Sequence, residues 1–292
     1  MKYDFLIVEI DKHLAVDFVR RYHYSPVMPA ITNYYLGFLL DNVLKGVLTL
    51  GYGTRPRHTF NKLFPKLNAL QKDDNDKFIK PINDFYYEIG KMCLSPELNG
   101  AGAGSQMVSA TIKWMKENTN ALYLYTMADG IMGKCGYVYQ ASNFYFGEKY
   151  KTETYMMENG EKLHPRTSNT MCQFNAEFLE DKHGKGYLEK TFKADKNGKH
   201  YPRWFTSDFC QDRGITRIVG YMFRYIYPLN KTAKKKLKDS SLNWSRNYPK
   251  DVELEWFDIT DKKNKKKLDD RPSFTYEKPK YNKGLNAEEF LC

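Results

Sequence analysis

What the chain lacks narrows its class before anything else. Its 292 residues hold only five cysteines, Cys93, Cys135, Cys172, Cys210 and Cys292, with no CxxC pair among them. An odd, scattered set of thiols excludes a disulfide framework and a zinc finger and fits a reducing cytoplasm. No run approaches the roughly 18 apolar residues that cross a membrane, so no membrane partner is expected. Acidic residues arrive at Asp4 and Glu9, too early for the apolar stretch of a secretory signal. There is no internal repeat and no sharp linker. Acidic charge is in deficit: 35 Asp and Glu stand against 46 Lys and Arg, a formal net charge of +11.

What is present is apolar and aromatic. Hydrophobic residues make up 41% and aromatics 15%, which excludes a largely disordered chain and allows a sizeable buried core. The positive charge speaks of partners: Lys and Arg meet phosphates while rings stack on bases. Nucleic acid suits it, and so does a polyanionic small donor such as coenzyme A. Much of the excess sits in KTAKKKLK and DKKNKKKLDD, where lysine runs form solvated faces.

The first 155 residues alternate strand and helix patterns. DFLIVEI (4–10) has strand length. Asp11 is placed to cap a helix beginning at Lys12, and Leu14, Phe18 and Tyr22 recur at helical spacing before the HYSP turn. Residues 34–53 read as a hairpin about Asp41 and Asn42, and 54–83 as a polar insertion or long loop. FYYEIGKMCLSP is a strand stopped by Pro96. A glycine loop follows, then a helix with Val108, Ile112 and Met115 on one face, and ALYLYTMAD (121–129) is a buried strand. GYVYQASNF reads as a short helix turning into a strand, and ITRIVGYMFRYIYPL (215–229) as a further strand. This order predicts an α/β fold, a mixed twisted sheet flanked by helices. The expected organisation is a core domain over 1–229, with a basic loop-rich segment at 160–215, and a lysine-rich extension over 230–292.

Three clusters carry candidate chemistry. In NGAGAGS, Asn99 leads into Gly100, Gly102, Gly104 and Ser105; such glycines let backbone N–H groups face one concavity, and the positive end of the next helix attracts an anion. The spacing is neither GxxxxGK[ST] nor a full GxGxxG. It is more similar to the pyrophosphate loop of GNAT acyltransferases, [QR]xxGx[GA], with Glu97 or Asn99 in place of the Gln or Arg. In RRYHYSP, His23, Tyr24 and Ser25 stand at a helix end, where a histidine serves as a base near neutral pH or as an aromatic cap. In TMADGIMGKCGYVYQASNF, Asp129 ends a buried strand, and Tyr139 lies on the short helix that follows. Asp129 is either a site carboxylate or a helix cap, and Tyr139 a proton donor or core packing. Basic residues among rings, His164, Arg166, Arg203, Trp204 and Arg224, suit a nucleic-acid wall. His23, Asp129 and His164 are too scattered for their spacing to imply a metal site.

Taken together, these clusters resemble the phage Mom DNA-modification proteins, a divergent branch of the GNAT superfamily. The shared order runs through HYS, GVLTLGYG, KMCLSP, the loop to a helix, MADG, GYVYQASNF, LHPR and RYIYPL, over roughly residues 20–229. The resemblance implies a GNAT-like fold and transfer of a carbamoylmethyl group to adenine N6 in double-stranded DNA. That modification shields phage DNA from restriction in the cytoplasm of the bacterial host. It implies functional positions at His23, Tyr24, Ser25, Ser105, Asp129 and Tyr139, with His23 or Asp129 as base and Tyr139 as proton donor. The donor implied is an activated glycyl group, carried on aminoacyl-tRNA, or an acyl-CoA; iron has also been considered for the family. The target adenine has to be flipped or unpaired. Two other classes compete: a coenzyme A-dependent N-acyltransferase acting on a protein or small amine, and a non-catalytic nucleic-acid-binding protein on the same scaffold.

Overall fold

A computed structural model describes residues 3–25, 28–53, 56–67, 74–75, 82–100, 102–165, 180–191, 194, 198, 200, 205–261 and 263–275. In chain order the elements begin with β1 (Leu6–Glu9), α1 (Lys12–Tyr22), β2 (Thr32–Leu40), β3 (Val43–Gly51), α2 (Pro56–Leu63) and β4 (Tyr86–Leu94). Next come α3 (Ala103–Asn118), β5 (Tyr123–Asp129), α4 (Tyr137–Ala141), β6 (Tyr145–Met156) and β7 (Lys162–Leu163). The rest are α5 (Tyr187–Thr191), α6 (Ser207–Asp212), β8 (Thr216–Pro228), α7 (Lys231–Lys236), β9 (Trp256–Asp258) and β10 (Lys266–Leu268). Two compact units form, one from Met1–Tyr150 with Met222–Leu254, the other from Lys151–Tyr221 with Glu255–Cys292. Among the described residues no helix is long and apolar enough to cross a membrane.

In the first unit the strand order is β1-β2-β3-β4-β5-β8-β6. β1 to β4 pair antiparallel, β4 and β5 parallel, and β5 and β8 antiparallel. This is the mixed, helix-flanked α/β sheet expected. Asp41 and Asn42 both take positive φ, 49° and 60°, the conformation of a two-residue turn whose twist suits a hairpin. α1 buries Ala15, Phe18 and Val19 against Val47 and Cys93. Its buried stripe is thus not the Leu14–Phe18–Tyr22 row read from spacing, since Leu14 is 45% and Tyr22 37% exposed. The small Ala15 lets the helix come close, and Tyr22 instead meets the Phe18 ring edge-on at 4.7 Å.

The stretch read as a loop at 54–83 contains α2. Phe60 stacks on Tyr86 at 5.0 Å and Phe64 on Tyr123 at 4.7 Å, so a pair of rings one turn apart docks the helix. Residues beyond the 229/230 boundary pack in this same unit. Ser240 Oγ donates to the Leu63 carbonyl at 2.6 Å, closing the C-terminus of α2, and the Tyr123 hydroxyl donates to the Ala233 carbonyl at 3.0 Å.

β4 and β5 hold together over just three register pairs, Tyr86–Tyr123, Tyr87–Leu124 and Glu88–Tyr125. β4 then follows β3 as far as Leu94, and β5 follows β8 as far as Asp129. The parting coincides with a bulge between Thr49 and Leu50 of β3, opposite Gly90, and a bulge bends its strand. A methyl at Gly90 would lie 2.9 Å from Pro29 Cγ and 3.0 Å from Thr49 Oγ1, so glycine is required there.

In the second unit β6 pairs β7, β8 pairs β9 and β9 pairs β10, all antiparallel. Its core is Tyr155, Met157, Leu163, Phe205, Cys210 and Ile215. Arg217 and Glu153 form an ion pair at 2.8 Å.

Candidate active site

Side chains alternate across a strand, and a bulge shifts that alternation by one. Before the bulge Glu88 pairs Gly51; after it Lys91 pairs Thr49 and Cys93 pairs Val47. Val47 and Cys93 pack under α1, which places Glu88, Lys91 and Cys93 all on the α1 face. On β5 the same face carries Tyr125, Met127 and Asp129, with Arg224 opposite Met127 on β8. The mouth of the parted strands is therefore lined by charged and aromatic groups.

The segment after α1 is drawn onto this face. Lys91 is only 8% exposed, and its ammonium donates to the Ser25 carbonyl at 2.7 Å and to Ser25 Oγ at 2.9 Å. A buried ammonium is tolerated when it is hydrogen-bonded, so these contacts both satisfy Lys91 and anchor the segment. His23 and Tyr24 stack at 4.4 Å, and Lys134 Nζ lies 4.5 Å from the centre of the Tyr24 ring. The Lys134 N–H donates to the Asp129 carbonyl at 3.1 Å, so the chain after β5 folds back toward Tyr24. His23 Nδ1 stands between the Ser25 N–H at 2.9 Å and the Ser25 carbonyl at 3.0 Å. It accepts from the first when unprotonated and donates to the second when protonated. Only the latter tautomer of the neutral ring frees Nε2 as a base.

Asp129 is half-buried; its Oδ1 accepts the Ile131 N–H at 3.1 Å and caps a short 3-10 turn at Gly130–Met132. Tyr139 lies on the other side of β5, buried, its ring 5.5 Å from both Phe144 and Tyr225. Burial raises its phenol, against a hydrogen bond with Thr126 that lowers it. Thr126 pairs Tyr225, so both lie on the face opposite Met127 and Arg224. Cys135, beside these residues, is buried, donates to Asp251 Oδ1 at 3.3 Å and has its thiol pushed up by burial, unlike an activated nucleophile.

The glycine loop does what its glycines require, though not uniformly. Gly100 takes φ +81° with open space about it, and Gly102 takes φ +75° as the residue before α3. No side chain caps that helix end, and Asn99 is exposed. Gly104 is already helical; a methyl there would stand 3.1 Å from Val138 Cγ2, so it serves close packing against α4. Ser105 Oγ donates to the Gly102 carbonyl at 2.9 Å, and the Ser105 carbonyl accepts from Ser142 Oγ at 3.2 Å.

The structure thus brings His23, Tyr24, Ser25 and Asp129 to one mouth, sets Tyr139 behind β5, and keeps the loop at the head of α3. Arg224 faces the mouth rather than an outer wall, its guanidinium 4.1 Å over the Tyr150 ring. His164 is exposed just after β7 in the second unit. Arg166, Arg203 and Trp204 lie outside the described residues. Among the described residues no three His, Cys, Asp or Glu side chains stand together as a metal site. Sequence reading missed Glu88, Lys91 and Lys134. The first two carried a signal, a charge of each sign inside an otherwise apolar strand, FYYEIGKMCL.

Lys91→Met retains the apolar stem but removes both bonds to Ser25. The expected outcome is a loss of about 1–3 kcal/mol in chemical denaturation and faster protease cleavage around residues 20–31. Unchanged cleavage would show that the segment holds without Lys91.

Residues 4–250 match the Mom protein family. No curated protein matches the chain significantly. Among solved structures the chain is similar to the GNAT family N-acetyltransferase YhbS from Escherichia coli in complex with CoA. There the identity is 12% and the TM-score 0.31, covering 49% of this chain and 70% of that one. It is similar to AAC(6')-Ib in complex with ribostamycin and coenzyme A at 9% identity and TM-score 0.34, covering 50% and 86%. It is also similar to a GNAT family acetyltransferase from Streptococcus pneumoniae at 11% identity and TM-score 0.32, covering 51% and 89%.

Proposed function

Because the chain belongs to the Mom protein family, we propose that it is a transferase that places a carbamoylmethyl group on adenine N6 in double-stranded DNA, protecting phage DNA from restriction. The observation that supports this most is the convergence of the His23–Ser25 segment and Asp129 on the gap between β4 and β5, beside Lys91 and Lys134. Such a gap admits a flat base from one side and a donor from the other. Adenine N6 is a poor nucleophile because its lone pair is delocalised into the ring. His23, through Nε2, and Asp129 stand by to take up the proton that adenine gives up on substitution, and Tyr24 with Lys134 presents a ring and a cation to the base and its phosphate. Tyr139, bonded to Thr126, returns a proton to the leaving group from behind β5. The loop from Asn99 to Ser105 holds the anionic part of the donor, an activated glycyl group on tRNA or an acyl-CoA. Carbamoylmethyl and glycyl groups are isomers, so a glycyl donor supplies every atom of the product, and the N6-glycyl adduct first formed then isomerises to it. The outer DNA contacts fall to Arg166, Arg203 and Trp204, with His164.

The test is to express the protein in a bacterium, digest the genomic DNA to nucleosides and weigh them. A deoxyadenosine heavier by one glycyl residue is expected, falling on the order of 100-fold or more in Asp129→Asn with folding intact. Unchanged nucleosides in a host proven to supply the donor would overturn the reading.

One observation favours a second reading, a coenzyme A-dependent N-acyltransferase. α3 presents its first N–H groups behind Gly100 and Gly102 with no side-chain cap, a ready place for a pyrophosphate. Micromolar binding of coenzyme A together with unmodified DNA would select it.

A further inference from the structure

Glu88 is the one acidic residue of β4 and sits at the last register pair before β4 and β5 part. Its carboxylate leans against Gly53, where a methyl would stand 2.7 Å from Oε2, and Gly53 holds φ +68°, a conformation that disfavours any other residue. Space for this carboxylate is thus built into the backbone. Among the described residues Glu88 has no hydrogen-bonding or ion-pair partner. A half-buried carboxyl with no partner among the described residues, at the point where two strands part, is placed to meet a polar group of a ligand. Burial pushes it up to about 7, so near neutrality acid and carboxylate coexist. Rings and a cation surround the approach: Tyr125 stands opposite in register, the Arg224 guanidinium lies over Tyr150, and the Tyr150 hydroxyl reaches Met127 Sδ at 3.0 Å. Asp129 is four residues beyond Tyr125 along β5, about 13 Å along the strand, a span longer than a purine.

We infer that Glu88 reads and activates the everted adenine: as a carboxylic acid its carbonyl oxygen accepts from N6–H while its hydroxyl donates to N1. This rests on the proposed function and assigns the group that recognises its acceptor. Adenine's Watson–Crick edge sets an exocyclic donor at C6 beside a ring acceptor at N1, and a carboxylic acid complements that pair in one plane. Guanine and thymine, with a carbonyl beside a ring N–H, do not offer it, and cytosine, which does, is the smaller ring. The same pair of bonds activates N6. Glu88 passes its proton to N1 and takes one from N6, which leaves Glu88 neutral and adenine as its imino tautomer, with an in-plane lone pair on N6. N6 then bonds to the donor's activated carbon as the bond from that carbon to its carrier oxygen or sulfur breaks, the electron pair leaving with the carrier. The N1 proton is released and the carrier is protonated, so the sum is adenine plus activated donor giving substituted adenine plus free carrier.

The experiment uses duplex oligonucleotides incubated with the full-length protein and clarified extract of a host that supplies the donor, read by nucleoside mass. Target adenine is compared with 1-deazaadenine, which keeps N6 but lacks the N1 acceptor, and with 7-deazaadenine, which keeps both. Wild type is expected to modify adenine and 7-deazaadenine and to lose about 100-fold or more on 1-deazaadenine. Glu88→Gln presents an amide with the same acceptor–donor pair, so DNA binding and KM stay near wild type while kcat falls by about 10²- to 10⁴-fold. The wild-type rate declines as pH rises through about 7, since the acid form is the active one, and a simple carboxylate base would show the opposite slope. Equal rates on adenine and 1-deazaadenine, or a wild-type kcat in Glu88→Gln, would overturn the inference and leave the proposed function standing. Absence of modification of adenine itself by wild type would remove both.

Discussion

Gly136→Ala is expected to destabilise the protein by about 3–5 kcal/mol, enough to leave much of it unfolded near its working temperature. Two costs coincide at this position. Gly136 takes φ +96°, which an L side chain resists, and a methyl there would stand 2.4 Å from Cε2 of the Tyr225 ring. Tyr225 is fully buried and cannot retreat, because its hydroxyl donates to the Cys135 carbonyl and accepts from Gln140 Nε2 at 3.1 Å. The ring would have to break that node, which holds the start of α4 between Lys134 and Tyr139. Denaturant melts of wild type and variant measure the loss; a difference below about 1 kcal/mol would mean that the node shifts freely.

Glu88→Gln is expected to act in the other direction on stability. The Glu88 carboxyl rises from an ordinary 4.5 to about 7 through burial. A raised acid pKa means that the native state holds its proton where the unfolded chain has released it. Stability therefore falls as pH climbs from about 4.5 to about 7, and the whole cost is present above that window. Glutamine has no proton to lose, so the variant should gain on wild type across that span, reaching about 3 kcal/mol at pH 8 and little at pH 4. Urea titrations at the two pH values decide it: an equal difference at both would show that Glu88 is not desolvated in the fold. A residue that weakens the protein at neutral pH while standing in a cleft is what retention for function looks like.

Local signals carried much of the architecture. The Asp41–Asn42 turn, the buried face of α3 and the strand–loop–helix order were legible because short-range rules govern them. The site was legible in its parts but not in its assembly. The segment after α1 is held by Lys91 on Ser25 and by Lys134 over Tyr24, contacts distant in sequence that leave no trace in spacing. Strict alternation along YYEIGKMCL puts Glu88 and Lys91 on opposite faces, because they are three residues apart. The bulge at Gly90 cancels that, and a glycine in a strand does not announce which way it bends. α2 was hidden for a simpler reason: the charges of RPRH and KDDNDK mask Phe60 and Phe64, whose fit depends on Tyr86 and Tyr123 arriving from elsewhere.

The brief parallel seam between β4 and β5 has a mechanical consequence. Two wings of one sheet are riveted over three rungs and then diverge, so a small rotation at the rivet becomes a larger excursion at the tips near Leu94 and Asp129. Each wing is laced to its outer neighbour, β4 to β3 and β5 to β8, and the two share only the rungs that end at Glu88–Tyr125. Cargo wedged between the tips would be gripped or let go by a scissor-like flexing that leaves the core of both wings undisturbed.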